Sequence, residues 1–105
     1  SEGPGAPVVL AGHRDTHFRH LQHLEPGDAV RLQGMDRQWR RYQVTATRVV
    51  DSSRESLDTR SLAQDTLVLI TCYPFDSLDA SGTLRYVVEA KPAYGMEQID
   101  TVAAL

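Results

Sequence analysis

The 105-residue sequence has one cysteine, two methionines, one tryptophan and only 7% aromatic residues. A single cysteine excludes a disulfide within the chain, so the thiol of Cys72 has no internal partner. No apolar run is longer than about five residues, far below the roughly 20 that a membrane-spanning helix requires. A basic excess is also missing, because the formal net charge is −3. This balance gives no support to nucleic-acid binding, which needs a basic face.

The remaining composition is that of an ordinary globular domain, with 41% hydrophobic and 24% charged residues. A chain of this length can bury one core but not two, so residues 1–105 are expected to form a single domain. Residues 1–7 are rich in glycine and proline and are expected to be a flexible lead-in. Residues 91–105, where the strand pattern fades, are expected to be a C-terminal tail.

The strongest structural signal is an apolar stretch that begins at Leu67, runs into Cys72 and stops at Pro74. An uninterrupted apolar row with β-branched residues predicts a strand that is buried on both faces or one that closes a barrel. Proline cannot continue a hydrogen-bonded ladder, so the strand is expected to end before it. The cysteine is therefore predicted to lie where a rigid strand ends and a loop begins.

Four further strands are predicted from short apolar runs or from alternating apolar and polar residues. They cover Val8–Gly12, Ala29–Gln33, residues 39–50 and residues 83–90. Alternate residues of the third are expected to share one face, namely Tyr42, Val44 and Ala46. A short helix is predicted between the first two strands, with its apolar positions at Phe18, Leu21 and Leu24. A helical turn is also predicted within residues 57–63.

Two groups could activate the sulfur of Cys72, since a protonated thiol is a weak nucleophile and needs a nearby base or cation. His13 directly follows the first predicted strand, and Arg85 lies near the start of the last. Taken singly, each residue has a structural explanation at least as good as a catalytic one: packing for the cysteine, a strand-end role for the histidine, and an ion pair with Glu89 or Asp79 for the arginine. Only their combination points to catalysis.

Three short motifs carry these residues along the chain. They are Ala11-Gly12-His13-Arg14, Leu69-Ile70-Thr71-Cys72 and Leu84-Arg85-Tyr86. In this order they resemble the histidine, cysteine and arginine motifs of sortases, and the joint match is far more specific than any one motif. The fuller strings AGHRDTHFRHL and LVLITCYPFD are most similar to sortases of Gram-negative bacteria. The resemblance covers roughly residues 8–90.

The resemblance implies a mainly β fold, a sortase-like closed β-barrel with one or two short helices. Sortases carry more strands before the histidine motif than residues 1–7 could supply, and an N-terminal membrane anchor as well. This chain is therefore expected to lack the first strands of the barrel and to be part of a longer protein. The implied location is the cell envelope, anchored in the inner membrane with the catalytic domain on the periplasmic side.

The implied activity is that of a cysteine transpeptidase. Such an enzyme cleaves a Leu-Pro-x-Thr-Gly-like sorting signal through a thioester acyl-enzyme and transfers it to an amine acceptor. By resemblance, Cys72 is the nucleophile, His13 exchanges protons with the amines, and Arg85 binds carbonyl oxygens of the substrate. The backbone N–H of Tyr73 is expected to add an oxyanion donor, and the His–Cys pair to titrate as a coupled system.

The segment from Asp51 to Gln64, before the cysteine strand, is expected to help form the groove for the substrate peptide. The implied partners are a protein carrying the sorting signal and an amine acceptor of unknown identity. No cofactor, metal or nucleic acid is expected, and membrane association is expected only through a segment that this chain does not contain.

Three other functions stay open at the level of sequence. The first is a thiol protease that hydrolyses the same signal, and the second is a binding module that keeps the fold without activity. The third is a metal-binding or interaction module built on His13, His17, His20 and His23. If a helix began at His13, three of these side chains would share one face. The glycine and the strand before His13 argue against such a helix, and no further ligand completes the set.

Overall fold

The computed structural model describes residues 7–12, 17–55, 65–75, 82–93 and 102–104. Within these ranges the chain forms a six-stranded sheet with the strand order β1-β4-β5-β3-β2-β6. The strands are β1 (Val8–Gly12), β2 (Ala29–Gln33), β3 (Trp39–Asp51), β4 (Leu67–Cys72), β5 (Leu84–Pro92) and β6 (Val102–Ala104). The β1–β4 and β2–β6 pairs are parallel and the other pairs are antiparallel. The sheet curls into a half-barrel, which confirms the expected mainly β class.

Strand β4 is buried on both faces, as its uninterrupted apolar sequence predicted. Leu67 and Leu69 point into the main core, and Val68 points to the opposite face, yet all three are 0% exposed. Strand β4 is hydrogen-bonded to β1 on one side and to β5 on the other. The strand that ends in Cys72 is therefore held rigidly along its whole length.

The main core lies on one face of the sheet, beneath a short helix. Its buried members are Leu21, Leu24, Val30, Tyr42, Val44, Leu67, Leu69, Phe75, Val88 and Ala90. The helix, His17–His23, lies within the predicted segment and is a 3₁₀ helix. Side chains three residues apart are eclipsed in this geometry, so Phe18, Leu21 and Leu24 line up toward the sheet. None of the described helices is long and apolar enough to cross a membrane.

Strand β3 departs from simple alternation after Val44. The register with β5 shifts between Val44, which pairs with Ala90, and Ala46, which pairs with Glu89. The extra residue in β3 turns Ala46 to the other face of the sheet. The expectation that Ala46 shares the buried face of Tyr42 and Val44 was therefore wrong.

One strand end and one additional strand also differ from the prediction. Strand β5 continues to Pro92, and β6 lies within the residues expected to form only a tail. The predicted helical turn at residues 57–63 lies outside the described part of the chain. The bounds of β1 and β2 were predicted correctly.

Candidate active site

Cys72 and Arg85 lie directly opposite each other across the β4–β5 pair. The N–H of Tyr73 donates to the carbonyl oxygen of Leu84 at 3.1 Å, which extends the ladder by one hydrogen-bonded pair. Such pairs alternate with non-hydrogen-bonded ones in antiparallel sheets, so Cys72 and Arg85 form a non-hydrogen-bonded pair. The Cα atoms of such a pair are about 4.5 Å apart, and their side chains approach most closely.

Both side chains lie on the face of the sheet that is opposite the main core. Alternation along β4 directs Leu69 into the core and Cys72 away from it, and Arg85 shares that outer face with Cys72. The two residues are half-buried, so the sulfur and the guanidinium lie near the surface. Further along the same face, Arg48 and Glu89 form an ion pair.

The guanidinium of Arg85 is fixed by the backbone at the start of its own strand. Its Nη1 donates to the carbonyl oxygens of Gly82 and Leu84, at 2.8 Å each. Among the described residues these are its only hydrogen bonds, so Nη2 and Nε have no partner there. The side chain is therefore oriented by one nitrogen and keeps three N–H donors for other contacts.

The third predicted residue, His13, lies outside the described residues, but the residue before it, Gly12, is described. Gly12 is the last residue of β1 and pairs with Thr71, the residue before Cys72. The Oγ1 of Thr71 donates to the carbonyl oxygen of Gly12 at 2.7 Å. Strand β1, which leads into His13, therefore ends at the same end of the sheet as β4, which ends in Cys72. The structure brings Cys72 and Arg85 together, and the role of His13 stays a prediction.

The predicted oxyanion donor, the N–H of Tyr73, already makes a hydrogen bond to Leu84. An oxyanion would have to share or replace this bond, so the assignment also stays a prediction. The ring of Tyr73 lies on the core side, stacked on Tyr86 with ring centroids 5.8 Å apart and in edge contact with Phe75. The sequence did not predict this aromatic group: Tyr73 and Phe75 are two residues apart, but Tyr86 joins them only through the pairing of β5 with β4.

The first residues of the expected substrate segment form a turn fastened to the start of β5. Both the Oγ and the N–H of Ser52 donate to the carbonyl oxygen of Thr83 at 2.8 Å. The carboxylate of Asp51 accepts hydrogen bonds from the Oγ and the N–H of Ser53, and these bonds lower the pKa of Asp51. The turn thus meets the same strand end as Arg85. Residues 56–64 lie outside the described ranges.

The histidine-cluster alternative gains no support from the part of the chain that the structure describes. His20 and His23 are exposed on the 3₁₀ helix, while His13 and the side chain of His17 fall outside the description. No group of three or more histidine, cysteine or acidic side chains that could hold a metal ion occurs among the described residues.

A family model, the sortase domain, matches residues 1–93. The chain belongs to the sortase family. It is 38% identical over 84 residues to sortase D of Bacillus subtilis (strain 168), a match that covers 80% of this chain and 41% of that protein. The three motifs that pointed to the family are thus part of a longer match, which includes all of strands β1 to β5.

Solved sortase structures have the same fold. Sortase C-1 of Actinomyces oris superimposes with a TM-score of 0.61 at 27% identity, over 87% of this chain and 51% of that one. Sortase C of Streptococcus pneumoniae superimposes with a TM-score of 0.69 at 24% identity, over 92% and 50% respectively. This sortase chain therefore spans about half the length of the relatives that it matches. The expected greater likeness to sortases of Gram-negative bacteria stays a prediction.

Proposed function

We propose that this sortase domain is the catalytic part of a cysteine transpeptidase. The observation that carries the proposal is the direct pairing of Cys72 with Arg85 on the outer face, beside the end of the strand that leads into His13. A thiol, a fixed guanidinium and an imidazole are the groups that acyl transfer needs: a nucleophile, an oxyanion stabiliser and a proton carrier.

In the first half-reaction, the thiolate of Cys72 attacks the scissile carbonyl carbon and forms a C–S bond. The carbonyl π electrons move onto oxygen, giving a tetrahedral oxyanion. As this intermediate collapses, the C–N bond breaks and His13, as imidazolium, donates its proton to the leaving amine. The product is a thioester on Cys72 and a neutral imidazole. In the second half-reaction, His13 takes a proton from the incoming amine, which attacks the thioester, forms the new amide and releases the thiolate.

Arg85 is suited to the developing negative charge because its orientation and its substrate contacts use different nitrogens. Nη1 is engaged with the carbonyl oxygens of Gly82 and Leu84. This leaves the N–H groups of Nη2 and Nε as the proposed donors to carbonyl oxygens of the substrate. An oriented charged donor costs little reorganisation during the reaction, which is the basis of oxyanion stabilisation. The N–H of Tyr73 is proposed as a second donor, in exchange for its bond to Leu84.

The proposed substrate is a protein with a Leu-Pro-x-Thr-Gly-like sorting signal, cleaved between threonine and glycine, and the acceptor is an amine. The segment from Asp51 to Gln64 is the proposed wall of the peptide groove. The turn at its start is hydrogen-bonded to Thr83, next to the arginine strand, which favours this placement. The proposed location is the cell envelope, with the catalytic domain on the periplasmic side of an inner-membrane anchor.

The proposal is tested by incubating the complete protein with a library of Leu-Pro-x-Thr-Gly-like peptides, with and without a primary amine. Mass spectrometry is expected to find a thioester on Cys72 and, with amine present, a product that shifts from free acid to amide. Cys72→Ala is expected to abolish cleavage, and His13→Ala nearly to do so. An acid product at every amine concentration would indicate a hydrolase instead, and cleavage that persists in Cys72→Ala would refute the proposed nucleophile.

A further inference from the structure

Thr71, the buried threonine next to the proposed nucleophile, has its side chain on the opposite face of β4 from the sulfur. Thr71 is 2% exposed, and its side chain points to the core side of β4, whereas that of Cys72 points to the outer face. A buried hydroxyl needs a hydrogen-bond partner. Thr71 finds its partner across the sheet, in the carbonyl oxygen of Gly12 at 2.7 Å. This bond ties the last residue of β1 to the strand of the cysteine, at the point where the parallel ladder stops.

The same glycine is held from a second side. A Cβ atom placed on Gly12 would lie 2.9–3.0 Å from Cδ1, Cε1 and Cγ of the Phe18 ring, closer than a side-chain carbon can approach. The backbone of Gly12 is not in the positive-φ region, so the requirement for glycine here is steric. Phe18 is itself packed against the main core. Gly12 is therefore enclosed between a hydrogen bond from Thr71 and the face of an aromatic ring.

His13 is bonded directly to this enclosed residue, and only four residues separate Gly12 from the 3₁₀ helix that carries Phe18. Displacement of Gly12 would move the start of the histidine segment relative to β4. Chemistry that needs reacting groups about 3 Å apart is sensitive to such a displacement, since a shift of about 1 Å can cost roughly a hundredfold in rate.

We infer that Thr71 is a positioning residue: its hydroxyl, together with the ring of Phe18, fixes Gly12 and so sets the place of His13 relative to Cys72. This inference rests on the proposed function in that it takes His13 and Cys72 to act as a pair. It adds a link between the two motifs: the threonine of the cysteine motif holds the glycine of the histidine motif in place.

The test compares variants of the complete protein by three readouts. These are kcat and KM for a cleaved peptide, the pH dependence of Cys72 alkylation by iodoacetamide, and the melting temperature. Thr71→Val removes the donor and Thr71→Ser keeps it. Thr66→Val is the matched control, because Thr66 is also buried but directly precedes β4, at the end of the strand opposite the cysteine.

Thr71→Val is expected to lower kcat by about a hundredfold with little change in KM. Its alkylation profile is expected to lose the same pH-dependent component that His13→Ala removes. Thr71→Ser is expected to retain both properties, and Thr66→Val to lower only the melting temperature. If Thr71→Val has the wild-type profile and kcat, or behaves like Thr66→Val, the positioning role is refuted.

The ring contact gives an independent test by compensation. Gly12→Ala is expected to reproduce the loss of kcat and of the alkylation component, because its methyl group collides with the ring. Adding Phe18→Leu is expected to restore part of both, since the smaller side chain makes room. No restoration in a double variant that folds would contradict the enclosure of Gly12.

Failure of the proposed function is separable from failure of this inference. Cleavage that persists in Cys72→Ala overturns the transpeptidase mechanism, yet the alkylation profile needs no peptide substrate and still reports on the His13–Cys72 pair. If His13→Ala leaves the alkylation profile unchanged, the two groups are not paired and the positioning role is refuted with them.

Discussion

Replacement of Arg85 by lysine tests whether the reaction needs a fork of donors or only a positive charge. In the structure, Nη1 alone holds the carbonyl oxygens of Gly82 and Leu84, while Nη2 and Nε have no partner among the described residues. A lysine has a single nitrogen at the end of a flexible stem. It would have to leave the two carbonyl groups in order to reach the substrate, or keep them and lose the substrate contact.

The magnitude follows from the contact that is lost. Removal of one oriented oxyanion donor costs roughly 2.7–4 kcal/mol of transition-state stabilisation, or about a hundredfold to a thousandfold in kcat. Arg85→Lys is expected to fall in this range. Because the contact is made mainly in the transition state, kcat and kcat/KM are expected to fall by similar factors. Arg85→Ala is expected to lose at least as much, since it also releases the carbonyl groups of Gly82 and Leu84.

The assay is steady-state kinetics on a peptide substrate with saturating amine, and Arg48→Lys is the matched control. Arg48 lies on the same face of the sheet and pairs with Glu89, and a lysine can keep that ion pair. A surface ion pair contributes about 0–1 kcal/mol, so the control is expected to keep most of its activity. If Arg85→Lys retains wild-type kcat/KM, or if only KM rises, Arg85 does not stabilise the transition state through its fork.

The sequence predicted the strands where a single pattern determines the structure. Strand β4 carries an uninterrupted apolar run, and this pattern is sufficient because both faces of the strand are covered. The extension of β5 to Pro92 was missed because a proline reads as a stop. Among the described residues Pro92 pairs only with β3, since β4 begins at Leu67, which pairs with Ala90, so proline lies here where the strand has an open edge. The short strand β6 exists through its pairing with β2, a contact that no local pattern encodes.

The type of the helix could have been predicted from the spacing of its apolar residues. Phe18, Leu21 and Leu24 recur at strict intervals of three, which fits three residues per turn better than 3.6. The bulge in β3 left no such trace. Ala46 follows Val44 in regular alternation, and only the register with β5 shows that an extra residue intervenes.

The candidate site was predicted as a set of residue types but not as an arrangement. The sequence placed Cys72 at the end of one strand and Arg85 near the start of the next. That the two residues lie directly opposite each other depends on the register of the whole β4–β5 pair. The bonds of Nη1 in Arg85 and the bond from Thr71 to Gly12 join groups whose distance in space cannot be obtained from spacing. The sequence therefore predicted which residues react, and the structure adds the contacts that orient Arg85 and Gly12.

Two further predictions concern stability and are measured by urea denaturation. Leu69→Ala in the fully buried strand β4 is expected to lower the free energy of unfolding by about 2–5 kcal/mol, whereas Val49→Ala at a position 45% exposed should change it by at most about 0.5 kcal/mol; equal losses would contradict the burial of β4. Asp51→Asn is expected to lower stability at neutral pH and to lose this effect in acid. The hydrogen bonds from Ser53 depress the pKa of Asp51 in the folded state, so the stabilisation by the carboxylate is fully present above the ordinary pKa that Asp51 has in the unfolded chain. That contribution disappears as the pH falls through the lower, folded-state pKa, because protonation then removes the acceptor charge from the turn. A difference between wild type and Asp51→Asn that stays constant from pH 7 down to about pH 2 would show that the charge of Asp51 does not stabilise this turn.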